Sequence, residues 1–144
     1  MLVKEIMSDN PAFCTADTNL QEVAKMMLDN DCGAIPVVED ASHKRPIGIV
    51  TDRDITIRTV AKGDNPLTMS AKSVMTKDVF TVTPETSVED CVNLMEENQV
   101  RRILVVDDNG GCTGMVAQAD IAIKAKDSEA ENMVEEVSKA SANS

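Results

Sequence analysis

The chain has 144 residues, 42% hydrophobic and 27% charged, which sets aside wholly disordered and fibrous proteins and leaves room for one compact domain or two small repeats. Fourteen Lys and Arg stand against 25 Asp and Glu, a net charge of -11 with a pI near 4.4, so a nucleic-acid duplex would be repelled. Its only aromatic residues are Phe13 and Phe80, which removes the stacking platform of single-strand binders and leaves an aliphatic core with nine Met as gap fillers.

In chain order, the leading segment VKEIMS (3–8) is followed by a short strand predicted around 13–15. LQEVAKMML (20–28) has apolar residues at i, i+3, i+4 and i+7 and predicts an amphipathic helix, with Asn19 as N-cap and Glu22 three positions on. IPVVE and PIGIVT are β-branched and too short for helices, so they predict a strand pair, and a helical period returns after Asp54. Residues 63–70, punctuated by Gly63, Asn65 and Pro66, read as a linker.

The same order then recurs. A short strand is predicted around 80–82, a helix over 88–95 with Ser87 and Asp90 as its cap pair, strands at ILVVD and CTGMVA, and a helical period after Asp120. A shift of 68 positions sets VKEIMS on AKSVMT (71–76), Met27 on Met95, Asn30 on Asn98 and AIPVVED on RILVVDD. After a loop two residues shorter, a shift of 66 sets GIVTDRDITI (48–57) on GMVAQADIAI (114–123).

The expected fold is therefore α+β: two tandem β-α-β-β-α repeats, over 1–62 and 71–126, packed as a pseudo-twofold module because each alone would bury too little surface. Residues 127–144 carry five acidic residues against one Lys and read as an acidic C-terminal tail. Within it, Ala130, Met133, Val134 and Val137 have the spacing of an apolar helix face, so a frayed tail is weighed there against a docking helix.

Cys14, Cys32, Cys91 and Cys112 are 18, 59 and 21 positions apart, and His43 is the single His, so no metal site is expected. Cys91 should be a buried small hydrophobe, and Cys112 an exposed thiol in a Gly-rich loop. No run approaches the roughly 18 apolar residues of a membrane span, and MLVKEIMSDNP has no signal-peptide character. The expectation is a cytoplasmic protein with reduced thiols and no membrane or nucleic-acid partner.

The V-K-x-I/V-M-type opening, the I-P-V-V or I-L-V-V strand and the G-h-V-T-x-x-D-type exit (h is apolar), occurring together and twice, resemble a cystathionine-β-synthase (CBS) domain pair, or Bateman module. GIVTDRDI is most similar to the small stand-alone prokaryotic pairs. The resemblance covers roughly residues 1–126 and implies a disc-like homodimer that senses adenine nucleotides, AMP, ADP or ATP, on behalf of an unidentified regulated protein. It further implies two clefts between the halves. The first would combine Ile49, Thr51, Arg53 and Asp54 with Thr76, Phe80, Val100, Arg101, Arg102 and Leu104.

Elementary chemistry agrees with that carry-over. Asp54 presents a carboxylate suited to a ribose diol, the Thr51 hydroxyl and free N–H groups at a helix start face phosphate, and Arg101 and Arg102 suit bidentate phosphate binding. Adenine would lie between Ile49, Val100 and Phe80. Each choice has a plainer rival: Thr51 and Asp54 as helix caps, the Arg pair in surface ion pairs with Glu96, Glu97 or Asp107, Phe80 as core.

The pseudo-symmetric cleft would use Met115, Ala117, Ala119 and Asp120 with Ser8, Ala12, Cys32, Gly33, Ala34 and Pro36, flanked by Cys14 and Cys32. There Thr51 has become Ala117, Arg53 has become Ala119, and the Arg pair has become Gly33 and Ala34, so this cleft is expected to be empty or weak. No enzyme is expected, since no nucleophile set, metal cluster or P-loop can be assembled. NAD or S-adenosylmethionine stay open as ligands. The alternative function is a ligand-free interaction protein, related to stress, acting through its dimer faces and acidic tail.

Overall fold

A computed structural model describes residues 1–124; the expectations for 127–144, including the Met133 stripe, lie outside the described residues. The chain opens with a single 3-10 turn at Val3–Glu5 and strand β1 (Ser8–Asp9). The first half follows as β2 (Cys14–Thr15), α1 (Leu20–Asn30), β3 (Ala34–Val38), β4 (Pro46–Thr51) and α2 (Asp52–Arg58). After 3-10 turns at Val60–Lys62, Pro66–Thr68 and Ala71–Ser73, the second half repeats the order as β5 (Thr81–Val82), α3 (Val88–Asn98), β6 (Arg102–Val106), β7 (Cys112–Ala117) and helix α4 at 118–124.

The predicted caps are made. Asn19 Oδ1 accepts from the Glu22 N–H at 2.9 Å and Ser87 Oγ from that of Asp90 at 3.0 Å, each satisfying a donor that the helix start leaves open. Both helices stop at a residue in the left-handed region, Asp31 (φ 48°) and Gln99 (φ 52°), whose N–H turns back to the last carbonyls. Leu20, Val23 and Met27 on α1, and Cys91 and Met95 on α3, face inward against the buried strands β3 and β6. Ile35, Val37, Ile103 and Val105 of those strands are fully buried, each worth roughly 1.5 to 3 kcal/mol relative to exposure.

In each half the first strand runs parallel to the next and that strand antiparallel to the third: β2-β3-β4 and β5-β6-β7. What crosses between the halves is the leading segment of each. β1 pairs antiparallel with β7, Ser8 opposite Met115 and Asp9 opposite Gly114, so the start of the chain completes the second sheet. Reciprocally, Thr76 bridges Ile49 on β4, its N–H donating to the Ile49 carbonyl at 2.9 Å and its carbonyl accepting from the Ile49 N–H at 3.0 Å.

The cores follow the same exchange. Ala71 and Val74 are buried with Leu20, Val23, Ile35 and Val50 of the first half, whereas Val3 and Ile6 are buried with Cys91, Ile103, Val105 and Val116 of the second. The two halves of the repeat thus trade their opening residues when they pack.

Two glycines make the crossing possible. A Cβ on Gly48 would lie 2.7 Å from Met75 Sδ and 3.0 Å from the Thr76 carbonyl oxygen; one on Gly114 would lie 2.6 Å from Met7 Sδ and 3.2 Å from that of Ser8. The stretch between the halves is anchored as well. Asn65 Oδ1 caps Pro66–Thr68 through the Leu67 N–H at 3.0 Å, and the Leu20 N–H donates to the Met69 carbonyl at 3.0 Å. No helix among the described residues is long and apolar enough to cross a membrane.

Candidate functional site

Where the crossing segment 74–80 runs along the end of β4, it forms one wall of a cleft of about 580 Å3. Ile49, Thr51 and Asp54 come from the β4–α2 turn, Thr76, Asp78, Val79 and Phe80 from the crossing segment, and Val100, Arg101, Arg102 and Leu104 from the approach to β6 and its start. Nine of the ten expected first-cleft residues are brought together, all except Arg53. Arg53 is exposed, its N–H donating to Asp52 Oδ1 at 2.8 Å, because at 3.6 residues per turn position 53 points away from the face shared by 51 and 54. Asp78 and Val79 were missed. Their signal was contiguity, since they lie between Thr76 and Phe80, both expected in the wall.

The capping roles of Thr51 and Asp54 are present too. Thr51 Oγ1 accepts from the Asp54 N–H at 3.0 Å and Asp54 Oδ2 from the Thr51 N–H at 3.0 Å, a reciprocal capping box. This does not exhaust either group: the hydroxyl keeps its own proton to donate, and a carboxylate has about four acceptor positions. Asp54 Oδ1 lies 3.8 Å from Arg58 Nε. Phe80 packs partly against the second core and also lines the cleft.

Arg101 and Arg102 take part in none of the ion pairs among the described residues, so the surface-pair rival is not realised there. The Arg102 side opens the strand, with Arg102 opposite Ala117, and the Arg101 carbonyl accepts from the Gln118 N–H at 2.9 Å. The cleft therefore holds two carboxylates, Asp54 and Asp78, and two guanidinium groups around an apolar strip of Ile49, Val79, Val100 and Leu104.

The second cleft, of about 590 Å3, is built by the mirrored crossing at β1. Ser8, Ala12, Cys32, Ala34 and Met115 line it as expected, joined by Asp9, Asn10, Pro11, Asn30 and Asp31. Gly33, Pro36, Ala117, Ala119 and Asp120 do not. Gly33 turns to the other side, its carbonyl accepting from the Asp52 N–H at 2.9 Å. Pro36 is buried within β3 opposite Ile49. Asp120 spends Oδ2 on the Ala117 N–H at 2.9 Å, because Ala117 still needs the acceptor that an N-cap position requires. The lining contains Asp9 and Asp31 and neither Lys nor Arg.

All four Cys are free thiols. Cys14 does not flank the second cleft; it is buried in the first core, and burial pushes its thiol up from 9.0 to about 11. Cys91 is buried as expected, and burial raises its thiol. Cys112 is half-buried rather than exposed, with its thiol raised by burial, because the β7 strand claims it. His43 lines neither cleft; its N–H holds Asp40 below the usual carboxylate range.

Comparison with known proteins places these features. The family model described as CBS domain matches residues 3–58 and 71–126. The CBS domain-containing protein YhcV of Bacillus subtilis is 38% identical over 121 residues, 84% of this chain and 83% of that protein. Hypoxic response protein 1 of Mycobacterium tuberculosis is 34% identical over 119 residues, 83% of this chain and 81% of that one.

Among solved structures, the CBS domain pair of protein MJ0100 in complex with 5′-methylthioadenosine and S-adenosyl-L-methionine superimposes with a TM-score of 0.78 at 25% identity, over 89% of this chain and 98% of that one. Hypoxic Response Protein I, solved with two coordinated zinc ions, gives 0.72 at 32% identity over 85% and 97%. Among the described residues of this chain, no group of three or more His, Cys, Asp or Glu converges on one point. Two matches to the family model, relatives that span most of the chain and a shared two-repeat architecture agree, and the chain belongs to the CBS domain family.

Proposed function

We propose that the chain is a non-enzymatic regulatory module whose first cleft binds one adenosine-bearing ligand, AMP, ADP or ATP, and passes its occupancy to a partner protein in the cytoplasm. The observation that carries this reading is the convergence, in one cleft, of a carboxylate with acceptor capacity to spare at Asp54, the Thr51 hydroxyl, Arg101 and Arg102 free of ion pairs among the described residues, and an apolar strip wide enough for a base. The adenosine ligands of the MJ0100 pair support the nucleoside half of the proposal. Phosphate is argued from the two Arg alone, and S-adenosylmethionine or NAD compete with nucleotides for the same diol-binding carboxylate.

The chain is expected to act as a homodimer, because Leu28, Ile57, Val60 and Ile123 leave apolar side chains exposed on or beside its helices. Those same residues favour the second reading, an interaction protein that needs no ligand. Transmission in either case requires a ligand or partner that distinguishes two arrangements of the module.

The deciding experiment uses the absence of Trp and Tyr, which leaves almost no absorbance at 280 nm. A 260 nm band in the purified protein, resolved by mass spectrometry, identifies a bound nucleotide directly, and calorimetric titration with AMP, ATP, NAD and S-adenosylmethionine ranks the ligands. Failure of every one of them to bind or to raise the melting temperature would leave the interaction reading.

A further inference from the structure

One side chain ties the two walls of the first cleft together. Arg58, the last residue of α2, lies one helical turn beyond Asp54 and on the same face, with Nε 3.8 Å from Asp54 Oδ1. Its Nη1 donates to the carbonyl oxygens of Val74 at 3.0 Å and Met75 at 3.1 Å, on the crossing segment from the other half. These two carbonyls immediately precede Thr76, which lines the cleft and bridges Ile49. A single guanidinium therefore touches the carboxylate on one wall and the backbone that sets the position of the other.

We propose that Arg58 is a positioning residue for ligand binding in the first cleft, holding Asp54 Oδ1 and the Val74–Thr76 backbone at a fixed separation. The proposal rests on the reading of Asp54 as the group that binds a ribose diol. Since Asp54 Oδ2 is occupied by the Thr51 N–H, Oδ1 is the oxygen with the greater freedom to meet a ligand, and it is the one Arg58 faces. At 3.8 Å the contact is one of charge rather than a hydrogen bond, and it leaves the lone pairs of Oδ1 available.

With the Arg58 side chain 43% exposed and that of Asp54 only 13%, solvent screens the pair, so its part is to orient the carboxylate rather than to stabilise the fold. Arg58 also offsets the charge that Asp54 and Asp78 bring to one cleft. At the pseudo-symmetric position the chain has Lys124, whose single ammonium lacks the planar fork that reaches two carbonyls and a carboxylate at once.

The test is calorimetric titration of the full chain and of Arg58→Met, Arg58→Lys, Asp54→Asn and the Arg58→Met/Asp54→Asn double variant. The probes are AMP and 2′,3′-dideoxyadenosine 5′-monophosphate, which lacks the diol. Arg58→Met is expected to weaken AMP about ten-fold and the dideoxy analogue about three-fold or less, and the double variant to lose less than the product of the two single losses. Arg58→Lys should recover part of the AMP affinity, and it carries the comparison if Arg58→Met does not fold.

Equal losses for the two ligands, or losses that multiply in the double variant, assign Arg58 a structural role only and overturn the proposal. Unchanged AMP affinity in both Arg58 variants overturns it as well. A wild-type chain that binds the two probes equally, or neither, overturns the ribose reading itself, and the proposal falls with it.

Discussion

The two clefts are made by the same exchange of segments and differ in what their walls offer a ligand. Thr51 and Asp54 cap each other reciprocally within the first wall; at the matching turn of the second half Ala117 has no hydroxyl, and neither it nor Asp120 lines the second cleft. The first sets two Arg against two Asp, whereas the second has two Asp and no cation in its lining. Desolvating a phosphate beside uncompensated carboxylates is costly, so under the proposed reading the first cleft would accept an anion and the second would reject it. Side-chain identity, not backbone geometry, separates them.

The sharpest way to break this contrast is to remove the two related carboxylates. Asp54→Ala should weaken AMP or ATP by roughly ten-fold or more, the loss of a charge-assisted hydrogen bond worth about 1.5 to 3 kcal/mol, while Asp120→Ala leaves the strong event nearly intact. Asp54→Ala also strips a cap, so the titration is run well below the melting temperature. A strong event lost with Asp120 and kept without Asp54 would show the clefts assigned in reverse. Removing Arg101 and Arg102 together should likewise cost ten-fold or more for ATP and much less for adenosine; equal losses for both would remove phosphate from the account.

A smaller effect compares the crossings. Gly48→Ala and Gly114→Ala should each cost about 1 to 3 kcal/mol in chemical denaturation, since each new methyl meets a Met sulfur and a backbone carbonyl. Only Gly48→Ala should also weaken the first-cleft ligand, because it displaces Met75 and Thr76. If Gly114→Ala weakens that ligand equally, the clefts are coupled rather than separate.

The smallest effect concerns pH. Folding raises the Cys14 thiol from 9.0 to about 11, so the unfolded chain loses that proton first, and stability falls as pH rises from about 9 toward 11. Cys14→Ala should flatten that fall in urea titrations.

Much of this was legible because it is local. The helix period, the Asn19 and Ser87 caps, and the paired strands all depend on residues within a few positions of one another. First-cleft membership came through the resemblance to a CBS domain pair, which implies that the turn carrying Thr51 and Asp54 meets Arg101 and Arg102 from the other half. Arg53 failed on helix phase, a single-residue rotation that the motif T-x-x-D does not encode.

Asp120 was placed by analogy with Asp54, and its Oδ2 makes the same bond to the N-cap N–H, but the lining of the second cleft stops short of it. Cys14 was assigned to a cleft although its alternation along β2 turns it into the core. The exchange was foreshadowed only by the resemblance, which sets Thr76 with Ile49 and Ser8 with Met115; nothing in VKEIMS or AKSVMT by itself says which of two equivalent sheets it will join.

That exchange also has a consequence for how the chain is born. The first core is incomplete until Ala71 and Val74 have left the ribosome, and the second waits for the last of its own strands before it can take Val3 and Ile6. Val3 and Ile6, synthesised well before the strands they pack against, thus wait as exposed apolar side chains until β6 and β7 arrive.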